Sequence, residues 1–200
     1  MSRVAAIILA AGRSSRFDGG NKLLAEIDGV TLVRRIALEV AASPVDDIVL
    51  VTGADDGAVA TAAGAGRWRH VVNPEPARGL SSSLKAGLAA LGTDASGALV
   101  VLADMPAVSA ALIAKLSAAF DASGGKKIVY PQNARGVQGN PVLWPRVLFA
   151  DLLLLDGDSG GKKLLTQYAH LCQPLDVSGD DAFTDIDTRA DLARMTRRAD

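Results

Sequence analysis

The chain has 200 residues, a length that suits one folded domain, and we expect residues 1–200 to form a single domain. Hydrophobic residues make up 49% of the chain and charged residues 22%, which excludes a disordered protein, because disorder requires low hydrophobicity and excess charge. The 21 basic residues nearly balance the 22 acidic residues, so the overall charge predicts no binding of nucleic acid, and any polyanion must be bound by a local basic cluster.

Patterns typical of metal-binding and membrane-spanning proteins are scarce. One cysteine, Cys172, and two histidines, His70 and His170, are too few for a zinc knuckle or an internal disulfide. The longest apolar run, at 4–11, is shorter than the ~20 residues of a membrane-spanning helix. Behind Arg3 this run faintly resembles a secretory signal, but the elements that follow need it as a strand. We therefore expect a cytoplasmic protein without membrane contact.

Short apolar runs alternate with helical patterns over the first 120 residues. Strands are predicted at 4–9, 47–52, 70–73 and 98–103. Helices are predicted at 31–42, in an alanine-rich stretch ending near 65, at 81–91, and up to residue 120 after a cap at Ser109. Repeated β-α units build a parallel sheet with helices on both faces, so we predict a three-layer α/β/α domain.

The alternation changes after Gly124-Gly125. Strands are predicted at 127–130, 141–144 and 172–177, and helices near 146–155, 160–168 and 188–198. The first two of these strands are joined by a loop that contains glycine, which favours an antiparallel arrangement. The predicted fold class is therefore α/β, a Rossmann-like domain with a mixed, mostly parallel sheet.

A basic loop with several glycines follows the first strand, where open α/β sheets bind their ligands. Residues 9–17 read LAAGRSSRF, and small residues let backbone N–H groups approach an anion. Arg13, Arg16 and Lys22 add positive charge suited to a triphosphate. The loop matches neither the Walker pattern nor the G-x-G-x-x-G fingerprint of dinucleotide-binding proteins. The alternative is a surface turn with solvated basic side chains.

Six segments, in order, resemble those of the MobA-like nucleotidyltransferases of molybdenum cofactor biosynthesis. They are the loop at 9–22, the segment at 73–84 with RGLSSSL, ADMP at 103–106, QGNPVL at 138–143, GDSGGK at 157–162, and DIDT with a following DL at 185–192. Together they cover nearly the whole chain. The resemblance implies the fold of nucleotide-diphospho-sugar transferases and an enzyme that transfers a nucleotide.

The resemblance also implies which residues bind the nucleotide. Arg16 and Lys22 would stabilise the charge on the departing pyrophosphate, in line with chemistry that depends on positioning and charge neutralisation. Thr52 ends the neighbouring strand and is expected to line the same pocket. The serines at 81–83 have an alternative role as ordinary helix caps. The nucleotide-binding residues expected are Leu9, Ala10, Ala11, Gly12, Arg13, Ser14, Lys22, Thr52, Gly79, Ser81, Ser82 and Ser83.

Asp104 is the expected ligand of a magnesium ion. It ends an apolar strand directly before Met105-Pro106, and Mg²⁺ needs only one or two carboxylates beside phosphate oxygens and water. Its alternative role is to cap the next helix, for which Ser109 is better placed. Asp187, or Asp185, would supply a second carboxylate, with capping of the last helix as the alternative.

The acceptor is expected to contact Gly139, Asn140 and Pro141. The resemblance implies transfer of CMP from CTP to the terminal phosphate of molybdopterin or the molybdenum cofactor, and delivery of the product to a molybdoenzyme or its maturation chaperone. Ala11 stands where the guanylyltransferase relatives have glycine. In this resemblance alanine goes with CTP, and glycine goes with GTP. Phe17-Asp18 replaces the usual Met-Gly, and Asn140 stands where the cytidylyltransferases often have histidine.

Three alternatives stay open at this point. A related enzyme could use GTP or another acceptor, such as a sugar phosphate or methylerythritol phosphate. A non-catalytic factor for molybdoenzyme maturation is the second, although Arg16, Lys22 and Asp104 are all present. A nicotinamide-dependent oxidoreductase is the third, and the missing dinucleotide fingerprint disfavours it.

Overall fold

The structure is a computed structural model that describes residues 2–12, 14, 17–18, 20–158, 161–178 and 183–199, with the backbone alone for 197–199. Arg13 and Arg16 of the predicted phosphate loop lie outside the described residues. None of the helices within the described ranges is long and apolar enough to span a membrane.

Strands and helices alternate along most of the chain. The strands are β1 (Val4–Ala10), β2 (Glu26–Ile27), β3 (Val30–Thr31), β4 (Asp47–Gly53), β5 (Arg69–Asn73), β6 (Gly97–Leu102), β7 (Ile128–Gln132), β8 (Val142–Pro145) and β9 (Cys172–Asp176). The helices are α1 (Leu32–Ala41), α2 (Gly57–Ala63), α3 (Leu80–Ala89), α4 (Ala110–Ala122), α5 (Phe149–Leu154), α6 (Lys162–Gln167) and α7 (Arg189–Ala199). Short 3₁₀ turns lie at Lys22–Leu24, Pro76–Arg78, Arg146–Leu148 and Ala169–Leu171.

Seven strands form one sheet in the order β5-β4-β1-β6-β8-β7-β9. The pairs β5-β4, β4-β1, β1-β6 and β7-β9 are parallel, whereas β8 runs antiparallel to β6 and β7. Leu9 pairs with Val51 on one side and Leu102 on the other, so β1, β4 and β6 end at the same edge. The loops after these three strands therefore open onto one face of the molecule.

The sheet separates two hydrophobic cores. Ile8 of β1 packs with Ile36 of α1 and Ile113 of α4 on one face. Ile7 packs with Leu84 of α3 and residues of α5 on the other face, because side chains alternate along a strand. Burial of each large aliphatic side chain contributes about 1.5–3 kcal/mol. The α/β/α layering follows from this two-sided burial.

The predicted fold class is confirmed: the sheet is mixed and mostly parallel, with helices on both faces. A small hairpin, β2-β3, was not predicted from the sequence. Its turn is Asp28-Gly29, both with positive φ (54° and 72°), which is the signature of a tight hairpin. Each strand has only two residues, too few for an alternating pattern to be read. The single helix predicted at 146–155 is instead a 3₁₀ turn followed by the shorter α5.

Candidate active site

A cavity of about 460 Å³ lies where β1 and β6 end. Its lining comes from the loop after β1, the segment before α3, the end of β6 and the segment before α7. Chain segments far apart in sequence therefore meet around one space. The predicted site residues that line it are Leu9, Ala11, Gly12, Ser14, Lys22, Gly79, Ser83, Asp104 and Asp187.

Lys22 lies between two carboxylates at one end of this first cavity. Its Nζ donates to Oδ2 of Asp104 at 2.6 Å and to Oδ1 of Asp187 at 2.9 Å. The lysine is only 8% exposed, so water screens these charges less than at a surface. The residue expected to bind phosphate and the residues expected to bind metal are thus in direct contact with one another.

The protonation state of Lys22 follows from this contact. Burial alone would lower its pKa, but the charge of Asp104 and hydrogen bonds to Asp104 and Asp187 outweigh burial and raise the pKa above its ordinary value. Lys22 is therefore a stable cation at neutral pH. It can neutralise negative charge, and it cannot serve as a general base.

Two polar residues of the preceding loop position Lys22. Oγ of Ser14 accepts the backbone N–H of Lys22 at 3.0 Å and donates to Oδ1 of Asn21 at 3.2 Å. The same Asn21 oxygen accepts the N–H of Leu23 at 3.0 Å and so caps the 3₁₀ turn that contains the lysine. Sequence reasoning missed Asn21, although an asparagine directly before a turn is a recognised cap.

The segment before α7 brings Asp187 to the site. The N–H of Ile186 bonds to the carbonyl of Asp104 at 2.9 Å, which fixes the two acidic residues beside each other. The cap of α7 is made by Thr188 and Asp191: Oγ1 of Thr188 accepts the N–H of Asp191, and Oδ2 of Asp191 accepts the N–H of Thr188. Thr188 and Asp191 therefore cap α7, and the carboxylate of Asp187 bonds to Lys22.

Phe17 ties the loop after β1 to this same segment. Its ring is buried in a small cluster with Ile27, Leu32 and Ile186. The guanidinium of Arg189 lies 5.5 Å from the ring centroid and donates through Nε to the carbonyl of Asp18 at 2.6 Å. The departure from the family pattern at Phe17 therefore adds an anchor between the phosphate loop and the segment that bears Asp187.

The start of α3 is held by the loop at 156–158. The N–H of Leu80 donates to Oδ1 of Asp158 at 3.0 Å, and the N–H of Ser81 donates to the carbonyl of Gly157 at 3.2 Å. The first N–H groups of this helix have no acceptor within the helix. They are bonded to the loop at 156–158 and are therefore not left for a nucleotide. Gly79, with φ of 91°, is required here, since an added Cβ would lie 2.6 Å from Oδ1 of Asp158.

The three serines of α3 point in different directions, as consecutive helical residues must. Ser83 lines the first cavity, and Ser81 lines a second cavity next to it. Ser82 lines a separate hollow with Arg78 and Lys85, and Ser81 borders that hollow as well. The expectation that all three contact the nucleotide at one site is therefore not matched by their placement.

The second cavity, of about 430 Å³, has a largely apolar lining. It shares Leu9, Leu80, Leu102 and Asp158 with the first cavity, so the two spaces adjoin. Asp158, which sequence reasoning did not select as a site residue, stands at their junction. The rest of the lining includes Leu84, Val100, Val142, Trp144, Leu152 and Leu165, with Gln138, Asn140 and Lys162 as polar members.

Of the residues expected to contact the acceptor, only Asn140 lines the second cavity. Gly139 lies under Phe183, where an added Cβ would be 2.2 Å from the ring, and Pro141 is buried. Two residues expected at the nucleotide also lie elsewhere: Ala10 is fully buried in the sheet core, and Thr52 bonds to Nε2 of His70 at 2.7 Å. Neither lines the first cavity.

The carboxylates of the first cavity fit a hard divalent cation. Asp104 and Asp187 each place an oxygen within hydrogen-bond distance of one Nζ, so a single cation can contact both. Over the described part of the chain, no group of three or more acidic, histidine or cysteine side chains could hold a metal ion. An ion at this place would therefore need phosphate oxygens or water to complete its coordination.

Comparisons with known proteins agree with this geometry. The profile of the MobA-like NTP transferase domain matches residues 6–171. A molybdenum cofactor guanylyltransferase of Burkholderia vietnamiensis is 32% identical over 98% of this chain and 96% of its own length. Nicotine blue oxidoreductase of Paenarthrobacter nicotinovorans is 29% identical over 96% of both chains.

Solved structures give the same result. Rv0371c of Mycobacterium tuberculosis superposes with a TM-score of 0.85 at 28% identity over 98% of both chains, and a second structure of it is a complex with manganese, at a TM-score of 0.80 and 25% identity over 98% of both chains. A nucleotidyl transferase from Methanothermobacter thermautotroptrophicus has a TM-score of 0.84 at 26% identity over the whole of both chains. The fold, the cavity and these matches agree, and this chain belongs to the MobA-like NTP transferase family.

Proposed function

We propose that this protein transfers CMP from CTP to the terminal phosphate of molybdopterin or the molybdenum cofactor and releases pyrophosphate. The observation that supports this most is Lys22, held between Asp104 and Asp187 where β1 and β6 end, in a cavity that adjoins a second, apolar one. One cavity offers charge for a triphosphate, and the other offers a surface for an organic acceptor.

The triphosphate would lie against the loop after β1. Ala11, Gly12 and Ser14 line the first cavity there, and no atom lies within 4 Å of a Cβ added at Gly12, so a phosphate group can approach its backbone closely. Lys22 would exchange its carboxylate partners for phosphate oxygens. Arg13 and Arg16, by resemblance, would add two more cations to the same loop.

Magnesium is the divalent ion we propose for this site, with Asp104 and Asp187 as its protein ligands. Such an ion, when bound, neutralises charge on the phosphates and orients them for displacement. Its binding requires the ammonium group of Lys22 to leave the space between the two carboxylates. The lysine would then be free to meet the phosphates, which links metal binding to nucleotide binding.

In the transfer, an oxygen of the acceptor phosphate attacks the α-phosphorus of CTP, and the bond between this phosphorus and the bridging oxygen of the β-phosphate breaks. Pyrophosphate departs with the electron pair of that bond. The acceptor phosphate is already ionised at neutral pH, so no general base is required. Lys22 and Arg16 take up the negative charge that develops on the leaving group, which is the main contribution a protein makes to such chemistry.

CTP is proposed over GTP because of Ala11. This residue is 7% exposed and lines the first cavity, where its methyl group occupies space that glycine leaves open to a larger base. A difference of one methyl group discriminates by about 1–3 kcal/mol. The relatives named molybdenum cofactor guanylyltransferase make GTP the alternative that must be tested beside CTP.

The second cavity is proposed to bind the acceptor. Trp144 and several leucines give it an apolar lining suited to a flat heterocycle, while Gln138, Asn140 and Ser81 supply hydrogen-bonding groups for its edges. The acceptor phosphate would reach the α-phosphorus at the junction near Asp158. The product would then be passed to a molybdoenzyme or its maturation chaperone.

The test is release of pyrophosphate with each of the four NTPs, in Mg²⁺ or Mn²⁺, with molybdopterin, a sugar phosphate or methylerythritol phosphate as acceptor. We expect turnover with CTP and molybdopterin, and we expect Asp104→Asn to reduce it about 100-fold or more. Asp94→Asn, a change of the same size at a surface ion pair with Arg3, is the matched control. Turnover only with GTP, or only with a sugar phosphate, would replace the base or the acceptor.

A second candidate function is suggested by the relative named nicotine blue oxidoreductase, which matches 96% of this chain. The apolar second cavity is able to bind an aromatic compound that is not phosphorylated. Oxidation of NADH or NADPH by the protein with aromatic electron acceptors tests this. Oxidation that persists in Asp104→Asn, together with no release of pyrophosphate from any NTP, would favour the oxidoreductase.

A further inference from the structure

A buried amide behind the first cavity orients the hydroxyl groups at the start of α3. Asn73, at the end of β5, is 2% exposed. Its Oδ1 accepts the N–H of Glu75 at 2.9 Å, and since a backbone N–H needs an oxygen acceptor, the Nδ2 group must face the helix. This Nδ2 donates to Oγ of Ser82 at 2.8 Å and to Oγ of Ser83 at 3.0 Å.

The two serines use this amide differently. Oγ of Ser82 lies 2.8 Å from the carbonyl of Gly79 and 3.0 Å from that of Glu75, so its proton has an acceptor within the protein. Ser83 is 4% exposed and lines the first cavity. Among the residues that the structure describes, no acceptor takes its proton. With Asn73 donating to its oxygen, Ser83 has a proton left for a ligand.

Ser83 lines the first cavity from α3, with Pro76, Ala77 and Gly79 of the preceding segment. The charged residue on this side is Asp158, which accepts the N–H of Leu80, whereas Lys22 contacts Asp104 and Asp187. A triphosphate bound at Lys22 would place its base towards α3, because the carboxylate of Asp158 repels phosphate groups there. The Ser83 hydroxyl is then positioned to meet an edge of that base.

We infer that Asn73 is a positioning residue that fixes Ser83 as a hydrogen-bond donor and thereby selects bases with an acceptor atom at that place. This inference deepens the proposed function and rests on its nucleotide-binding part. Cytosine and uracil carry opposite donor and acceptor groups at ring positions 3 and 4, and guanine and adenine do so at positions 1 and 6. A fixed donor that faces one of these positions therefore discriminates within each pair of equal ring size.

The inference predicts that the preference can be reversed. In Asn73→Asp the side chain has no N–H to donate, and its carboxylate accepts the Ser83 proton instead. The serine then presents a lone pair to the cavity and favours a base with a donor at the same place. The direction of preference should follow the residue at position 73, although that residue does not line the first cavity.

The experiment measures kcat/KM for pyrophosphate release with the four NTPs and expresses it as the ratio within each pair. We expect Ser83→Ala to reduce the wild-type ratio about tenfold, and Asn73→Asp to reduce it further or invert it. Ser82→Ala is the matched control, because it removes the other hydrogen bond of Asn73 without altering the lining of the first cavity. It should keep the ratio within about threefold of wild type.

A double-mutant cycle separates positioning from a structural role. Asn73→Ala should lower the ratio in the wild-type background and leave it unchanged in the Ser83→Ala background, since the effect passes through the serine. The Ser83→Ala measurement tests the inference even if the Asn73 variants do not fold. A ratio unchanged by Ser83→Ala, equal effects of Ser82→Ala and Ser83→Ala, or no preference in the wild type would overturn the inference.

Calorimetric titration of the four NTPs in Mg²⁺ without an acceptor distinguishes this inference from the proposed function. If the binding constants show the same ratios and the same response to Ser83→Ala while no acceptor is turned over, the proposed transfer fails and the positioning role stands. If turnover occurs but the ratios do not change in the variants of Asn73 and Ser83, the proposed transfer stands and the positioning role fails. A wild-type protein that binds no nucleotide contradicts both.

Discussion

The two adjoining cavities differ in how they can select a ligand. In the first, Lys22 contacts both Asp104 and Asp187, and the three side chains are 10%, 21% and 28% exposed, so these charges act through a partly water-excluded space. The second is lined by Trp144 and leucines, where shape and hydrogen bonds must decide what fits. The charged residues of the first suit the triphosphate that all the nucleotides share, and the second suits the acceptor, which is the part of the reaction that varies among relatives.

The most damaging change to the charged cavity is Lys22→Ala. It removes the cation at the leaving group, and we expect kcat/KM for pyrophosphate release to fall about 10²–10³-fold, the cost of removing one charge-stabilising donor. Lys115→Ala, an exposed lysine on α4, is the control and should leave the rate unchanged. A near wild-type rate in a folded Lys22→Ala protein would show that this cavity does not stabilise the leaving group.

Gly79→Ala breaks the separation between the two cavities. The new Cβ meets Asp158 and Gly157 at 2.6–2.7 Å in a backbone with φ of 91°, so the loop at 156–158 must move away from α3. We expect a loss of about 1–3 kcal/mol in the free energy of unfolding and higher KM values for both substrates. Urea unfolding and steady-state kinetics measure these effects.

The control for this change is Gly57→Ala at the start of α2, where no atom lies within 4 Å of the added Cβ and φ is not positive. That variant should be as stable as wild type or slightly more so. If Gly79→Ala raises only one of the two KM values, the loop is not a shared boundary between the cavities.

Asn140→Ala tests the apolar cavity alone. It removes a polar group from the lining, and we expect the KM for the acceptor to rise about tenfold while the KM for the nucleotide stays the same. Val137→Ala in the same loop is half-exposed and outside the lining, so it should change neither value. A change in nucleotide KM with Asn140→Ala would mean that the cavities do not divide the substrates as proposed.

The smallest expected effect concerns the cap that orients Asp187. Hydrogen bonds from Thr188 lower the pKa of Asp191 from 3.8 to about 2. Because the folded pKa is the lower one, the ionised carboxylate stabilises the protein above about pH 4, and this stabilisation is lost as the pH falls towards 2. Asp191→Asn should cost about 1 kcal/mol at pH 7, as for other lost caps.

Urea unfolding of wild type and Asp191→Asn from pH 7 to about pH 2.5 measures this effect. The difference between them should shrink as the pH falls, and nucleotide KM should change more than acceptor KM. A difference that is constant with pH would show that the ionised form of Asp191 is not what stabilises the cap.

The parts of the fold that could be predicted depend on local patterns. The apolar runs of β1, β4 and β6 and the basic loop after β1 can be recognised from adjacent residues, because burial on both faces of a sheet requires near-continuous hydrophobicity. The hairpin at 26–31 was not predicted because its strands are too short to show an alternating pattern. Asp158 was not predicted because its partner, the N–H of Leu80, lies 78 positions away in the sequence. Asn21 was missed although its partner, the N–H of Leu23, is local.

What the sequence determined by itself is the order of β and α elements, the cationic loop at the end of β1 and the acidic residue that ends β6. Only the tertiary structure decided that Lys22 meets an aspartate 165 positions further along, that Ser83 alone of three consecutive serines lines the first cavity, and that Thr52 and Pro141 stand outside the cavities. The physical reason is that hydrophobic periodicity specifies each element separately, whereas the neighbours of a polar side chain depend on how distant elements pack.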